Sequence, residues 1–167
     1  MNTKIIKNNF GISIIEVVAA ITIITMGMIG VLSLVIQNIQ AQYINKNVLI
    51  AADLAGEGLE LVRNTRDLNW LTGNDWNKDI VGNYTIDYKG SASINQSVDY
   101  IYDDDARLYV DSNGFYTHAV TAMPTNFYRL ITVVDNIDYL DVKSTIRWKD
   151  GVKNHDYTAE TYLYNWR

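Results

Sequence analysis

One stretch of the chain fixes most of what it can become. From Asn8 to Asn45 the only charged side chain is Glu16, and within that stretch Ile12 to Ile36 reads ISIIEVVAAITIITMGMIGVLSLVI. As a helix these 25 residues span roughly 37 Å, at about 1.5 Å per residue. A bilayer core is about 30 Å thick and takes about 20 apolar residues. The segment is therefore long enough to cross with tilt to spare. A soluble core helix of this length would carry a polar face. Lys4 and Lys7 precede the span with no acid beside them. The positive-inside asymmetry places the N-terminus in the cytoplasm and the rest of the chain outside. A secretory signal peptide would have a shorter apolar run and a small-x-small cleavage site. Here Gln37-Asn38-Ile39-Gln40 follows the run instead.

The remainder is a different kind of polymer. All but one of the 19 aromatic residues lie at Tyr43 or beyond. There is no cysteine, which excludes a disulfide scaffold or a zinc finger, and leaves an outer domain to stand on its core alone. The formal charge is −5, which argues against binding nucleic acid by bulk charge. Apolar helical spacing persists past the span, with Ile44, Val48, Ala52, Ala55, Leu59 and Val62 on one stripe and Glu57, Glu60, Arg63 and Asn64 largely off it. The pattern predicts one helix from Ile12 to Arg66, weakened locally by Gly56 and Gly58. Residues 67–79, with Trp70, Gly73, Asn74 and Trp76, read as a loop with two aromatic anchors.

Beyond the loop the period changes to two. Tyr84, Ile86 and Tyr88 alternate with polar residues. Leu108 to Val110 and Phe115-Tyr116 flank a turn at Asn113-Gly114. Phe127 to Val134, Asp138 to Trp148 and Tyr157 to Trp166 read as strands, with a turn at Lys149-Asp150-Gly151. Neighbouring segments of this kind favour an antiparallel sheet, and the helix stripe is its natural cover. The expected fold class is α+β, a long N-terminal helix on a C-terminal antiparallel sheet. The segments divide as 1–11, 12–36 in the membrane, 37–66 amphipathic, 67–79 connecting and 80–167 sheet.

Gly11-Ile12-Ser13-Ile14-Ile15-Glu16 resembles the processing site of type IV pilins and the pseudopilins of type II secretion. The resemblance implies a leader, Met1 to Gly11, cut by a prepilin peptidase after Gly11. Ile12 becomes the mature N-terminus and is a methylation candidate, although the family usually has Phe there. Glu16 becomes the fifth mature residue. It also implies a pilin-like fold and partners in other pilin subunits, with lipid around the helix before assembly. The stretch from Ala51 to Asp67 and the end from Tyr162 to Arg167 are similar to PilV-type minor pilins. The proline many major pilins carry in the span is missing; the only proline is Pro124.

Physical chemistry gives Glu16 two roles. Cleavage would free an α-amine on Ile12, mostly protonated at neutral pH. In packed helices an ammonium on one subunit and Glu16 on a neighbour can pair, and removing one member of a buried pair costs about 3–5 kcal/mol. Alternatively Ser13-x-x-Glu16 is a capping box with no role in assembly. The two can hold together.

Other chemistry is thin. His118 and His155 read as surface or sheet residues, and there is no H-x-x-x-H, G-x-S-x-G or P-loop. Neither an enzyme nor a cofactor is expected. Asp99 with Asp103, Asp104 and Asp105 forms one acidic cluster, a weak calcium candidate with no EF-hand spacing. The glycosylation-type triplets at Asn83 and Asn95 read as chance. Aromatics near the C-terminal strands read as sheet packing before carbohydrate or DNA stacking. The function expected is a minor-pilin-like filament subunit of the cytoplasmic or inner membrane. The alternatives are a pseudopilin of a secretion or competence system and a single-pass binding protein that never polymerises.

Overall fold

The computed structural model describes residues 11–88, 94–97, 101, 104–120 and 123–166. The chain divides into two compact units after Asn45. Helix α1, Ile14–Leu71, supplies the first unit and the opening element of the second.

In the first unit every residue from Gly11 to Asn45 is exposed. The helix contains an 18-residue window of mean hydropathy 2.4, none of it buried. It is long and apolar enough to cross a membrane. Its few hydroxyl groups turn back onto the helix. Thr22, Thr25 and Ser33 donate to the carbonyls of Val18, Thr22 and Ile29 at 2.8, 2.9 and 3.1 Å. That leaves the outer surface of the span almost purely hydrocarbon.

The second unit is an α+β domain in which the rest of α1 covers an antiparallel sheet with seven strands among the described residues. These are β1 Gly82–Ile86, β2 Ile94–Ser97, β3 Arg107–Val110, β4 Tyr116–Thr117, β5 Met123–Asp135, β6 Tyr139–Asp150 and β7 Lys153–Tyr164. β5, β6 and β7 form a meander. The β6–β7 connection is a two-residue turn with Gly151 at φ 57° in its first position, the setting that favours glycine in a tight hairpin. The far edge of β5 is divided between two partners. Its first half pairs with β3 and its second half with β1. Tyr128 and Thr132 each face β6 on one side and a short strand on the other.

The core has two parts along α1. Ala51, Leu54 and Ala55 pack with Leu108, Phe127, Ile146 and Trp148. Val62 packs with Ile80, Ile86, Ile131, Val133, Leu140, Val142 and Leu163. Burying a side chain such as Leu140 or Ile131 stabilises the domain by about 1.5–3 kcal/mol.

Several expectations need correction. The helix begins at Ile14 and runs to Leu71, five residues into the expected 67–79 loop. No helix breaker precedes Gly73, and Trp70 is held edge-on against Trp166 with ring centroids 4.6 Å apart. The buried face is rotated from the expected stripe. It comprises Asn47, Ala51, Leu54, Ala55, Gly58, Val62, Thr65 and Arg66, while Ile44 is exposed and Val48, Ala52 and Leu59 are half-buried. Gly58 is a point of closest approach. A Cβ there would lie 2.5 Å from Ser144 Oγ and 2.9 Å from Ile131 Cδ1. Small residues face the sheet so that the backbones can come near, and the larger apolar residues flank them. Tyr88 lies beyond the end of β1, and β5 and β7 begin earlier than the pattern predicts, at Met123 and Lys153. The turn expected at residues 149–151 is displaced, because β6 continues to Asp150.

Candidate functional site

The residues singled out from the sequence sit at the start of the first unit. Gly11, Ile12 and Ser13 precede the helix and are exposed. The Ser13 carbonyl accepts hydrogen bonds from the N–H groups of Glu16 and Val17 at 3.0 and 3.2 Å, so Ser13 occupies the N-cap position. Glu16 lies in the first turn, where its charge suits the helix dipole. The reciprocal side-chain bonds of a capping box are not formed. Among the described residues, neither the Ser13 hydroxyl nor the Glu16 carboxylate has a hydrogen-bond partner. Glu16 is thus a lone carboxylate on an exposed apolar helix, beside an exposed Gly11–Ile12 bond. Further along, Gly27 leaves a notch between Ile24, Met28 and Val31, with open space above it.

Sequence reasoning missed a buried polar cluster in the second unit. Arg129 is 0 % exposed in the middle of β5. It donates to the Leu54 carbonyl at 3.3 Å, to the Ile86 carbonyl at 2.8 Å and to Glu57 at 3.1 Å. One guanidinium therefore ties α1 to two strands. The buried Asp87 carboxylate accepts from the Thr117 hydroxyl and, at 3.3 Å, from the His118 backbone N–H. Both His118 ring nitrogens are shielded from solvent. Burial, with the Arg129 charge, pushes the imidazole down to about 4, against a smaller opposing pull from Asp87. Burial also lowers the Arg129 pKa, and Glu57 works against that shift. The signal was present in the sequence: Arg129 shares its alternation parity with Phe127, Ile131 and Val133, all inward.

The remaining candidates are placed as follows. Asp104 and Asp105 are exposed in a short 3-10 turn, while Asp99 and Asp103 lie outside the described residues. Among the described residues, no three His, Cys, Asp or Glu side chains converge as metal ligands would. His155 stacks on Trp148 at 5.3 Å, and Tyr139 lies against both Tyr162 and Tyr164 at 5.4 and 5.7 Å. These rings pack on one another across β6 and β7. Asn83 is exposed on β1; the side chain of Asn95 lies outside the described set.

No protein-family model matches this chain, and neither a curated protein nor a solved structure matches it.

Proposed function

We propose that this chain is a pilin-like structural subunit, made as a single-pass membrane precursor and built into a type IV pilus or a related filament through its N-terminal helix. The minor-pilin reading is preferred, on the likeness of residues 51–67 and 162–167 to PilV-type proteins. In this reading a prepilin peptidase hydrolyses the Gly11–Ile12 bond on the cytoplasmic face. Gly11 leaves with a carboxylate and Ile12 keeps the amine. Lipid surrounds the helix first, and neighbouring subunits replace it. The sheet domain stays on the outer side.

The observation that carries the reading is Glu16. It is an unpartnered acid in the first turn of a fully exposed apolar helix, five residues beyond Gly11. An acid costs free energy in a membrane helix even near its end. A counter-charge that arrives only on assembly gives that cost a use, because the pair then fixes the axial register between helices. The Gly27 notch offers a second point of close approach for a neighbouring helix.

Glu16→Ala is the test. The variant is expected to insert into the membrane at normal levels and to be lost from sheared filaments by at least about tenfold, a loss well within what removing one member of a buried pair costs. Normal entry of the variant into filaments would sink the pairing role. Mass spectrometry of wild-type protein should find Ile12 at the N-terminus. Recovery of wild type only in membranes would favour the anchored, non-polymerising alternative. A secretion or competence pseudopilin would behave as the pilus subunit does in both assays, and is separated from it by which secretin and ATPase the filament requires.

A further inference from the structure

The sheet of the second unit ends unevenly. On one side it closes with β2 and β4, strands of four and two residues. On the other it ends with β7, twelve residues long, which among the described residues pairs with β6 alone. Sheet edges are ordinarily kept short, bent by a bulge or proline, or blocked by an inward-pointing charge. β7 has none of these past its first residue. Its register with β6 is continuous from Lys153 to Tyr164, it has no proline, and its inward row of His155, Tyr157, Ala159, Thr161 and Leu163 carries no acid, lysine or arginine.

The two-residue turn before β7 sets the direction of its backbone groups. The pair flanking such a turn, Asp150 and Lys153, exchanges hydrogen bonds, and bonded and non-bonded pairs then alternate along the ladder. The odd-numbered residues from Lys153 to Leu163 therefore bond to β6. The N–H and C=O groups of Asn154, Asp156, Thr158, Glu160 and Tyr162 point away from it, and the same residues carry the outward side chains.

Charge decides what fits this edge. Along β7 the charges are Lys153 at its start, then Asp156 and Glu160 on the outward face, with side chains 46 % and 40 % exposed. Each acid has a base on its inner side. Asp156 accepts two bonds from Arg147, and Glu160 lies 3.6 Å from Lys143, which Asp141 shares at 3.2 Å. On the outer side no strand faces them among the described residues. A second β7 is a poor occupant. With the two-fold axis at any residue from 156 to 160, two of these acids fall directly or diagonally opposite each other, which is unfavourable. A strand with Lys or Arg at two positions four apart meets both acids. β6 shows that fit on the inner side, with Lys143 facing Glu160 and Arg147 facing Asp156.

We infer that the free edge of β7 is a docking site for an extended, basic segment of a partner protein. The segment adds antiparallel as the next strand of the sheet, with cations over Asp156 and Glu160. Main-chain hydrogen bonds hold it and charge selects it. The inference stands apart from filament assembly, which the N-terminal helix would serve.

The probe is a synthetic peptide with the sequence of residues 139–149, which carries the spacing of Lys143 and Arg147. Full-length protein in nanodiscs is followed by residue-resolved amide exchange. Saturating peptide should slow exchange at Asp156, Thr158, Glu160 and Tyr162 by at least about tenfold and leave Tyr157, Ala159 and Thr161 unchanged. The same peptide with glutamate in place of Lys143 and Arg147 should protect nothing. Asp156→Asn and Glu160→Gln should each weaken peptide binding by about two- to fivefold, with circular dichroism unchanged. Thr158→Pro removes only an outward N–H and should abolish docking while β6 and β7 stay paired. Equal protection by the acidic peptide, protection of both rows alike, or no protection overturns the inference. So does slow exchange of Thr158 and Glu160 without peptide: if it grows with protein concentration a second copy holds the edge, and if it does not the chain covers the edge itself.

Discussion

The two parts of α1 obey opposite rules. Before Asn45 the helix presents large aliphatic side chains on every side, and none is buried. After Lys46 it turns Ala51, Ala55 and Gly58 inward and, apart from Arg66, keeps its charges at the margin. The first part has no polar face and is long and apolar enough to cross a membrane. The second part has one narrow face because a sheet lies on one side only. The hydrophobic pattern of a helix thus reports the symmetry of what surrounds it, and a change of pattern within one unbroken helix marks a change of solvent.

Substitutions should separate the parts cleanly. The largest effect is expected from Arg129→Ala. It leaves Glu57 without its counter-charge and empties a buried site, and should cost the sheet domain about 3–5 kcal/mol in urea unfolding of the reconstituted protein. Membrane insertion should be untouched. If insertion falls in step with stability, the two parts do not behave as separate units.

Gly58→Ala is next. The new methyl meets Ser144 Oγ and Ile131 Cδ1, with Ser144 Cβ at 3.3 Å behind them. Overpacking of this kind costs about 1–3 kcal/mol. A neutral result would show that the helix slides on the sheet.

Acid should act through His118. Its pKa is held near 4 in the folded domain, against an ordinary value of 6.5. The unfolded chain therefore binds the proton more tightly. The stability that depends on neutral His118 is complete above pH 6.5 and is lost as pH falls toward 4. About 1–2 kcal/mol should disappear between pH 6.5 and 5. His118→Gln should flatten that part of the profile, and an unchanged acid slope would show that the ring is open to water.

The smallest expected effect is a gain. Gly56→Ala, two residues from Gly58, meets open space and should stabilise the domain by about 0.5–1 kcal/mol. The opposite signs at positions 56 and 58 would sharpen the view of how narrow the inward face is.

Much of this was legible in the residues, and the misses have physical causes. The span needed only a count of charges. Two hairpin turns were announced by glycines, one at Gly114 with φ 85°. The inward stripe holds at Ala55 and Val62 but elsewhere lies beside the expected positions, with Ala51, Leu54 and Gly58 inward in place of Val48, Ala52 and Leu59. The helix end was misplaced because Asp67 to Trp70 look polar and aromatic in sequence, yet Arg66 lies over the Trp70 ring at 4.6 Å and pairs with Asp67. Arg129 escaped notice because a charge in a strand is assumed to face water; its parity said otherwise. The Gly11–Glu16 motif was plain in the residues, and the structure adds that Glu16 has no hydrogen-bond partner among the described residues.

The shared edge of β5 sets an order of events. Neither β1 nor β3 pairs with the other, so both wait for the same strand to be in place. That strand belongs to the meander β5–β6–β7, whose pairings are local and quick to close. We expect the template to come from the last third of the chain, synthesised after the greasy helix has left the ribosome. Amide exchange pulsed during refolding should protect Thr132 and Val142 before Tyr84 or Leu108. The nascent chain would then finish its long helix before its sheet domain has a shape, and would acquire that shape from its tail backward.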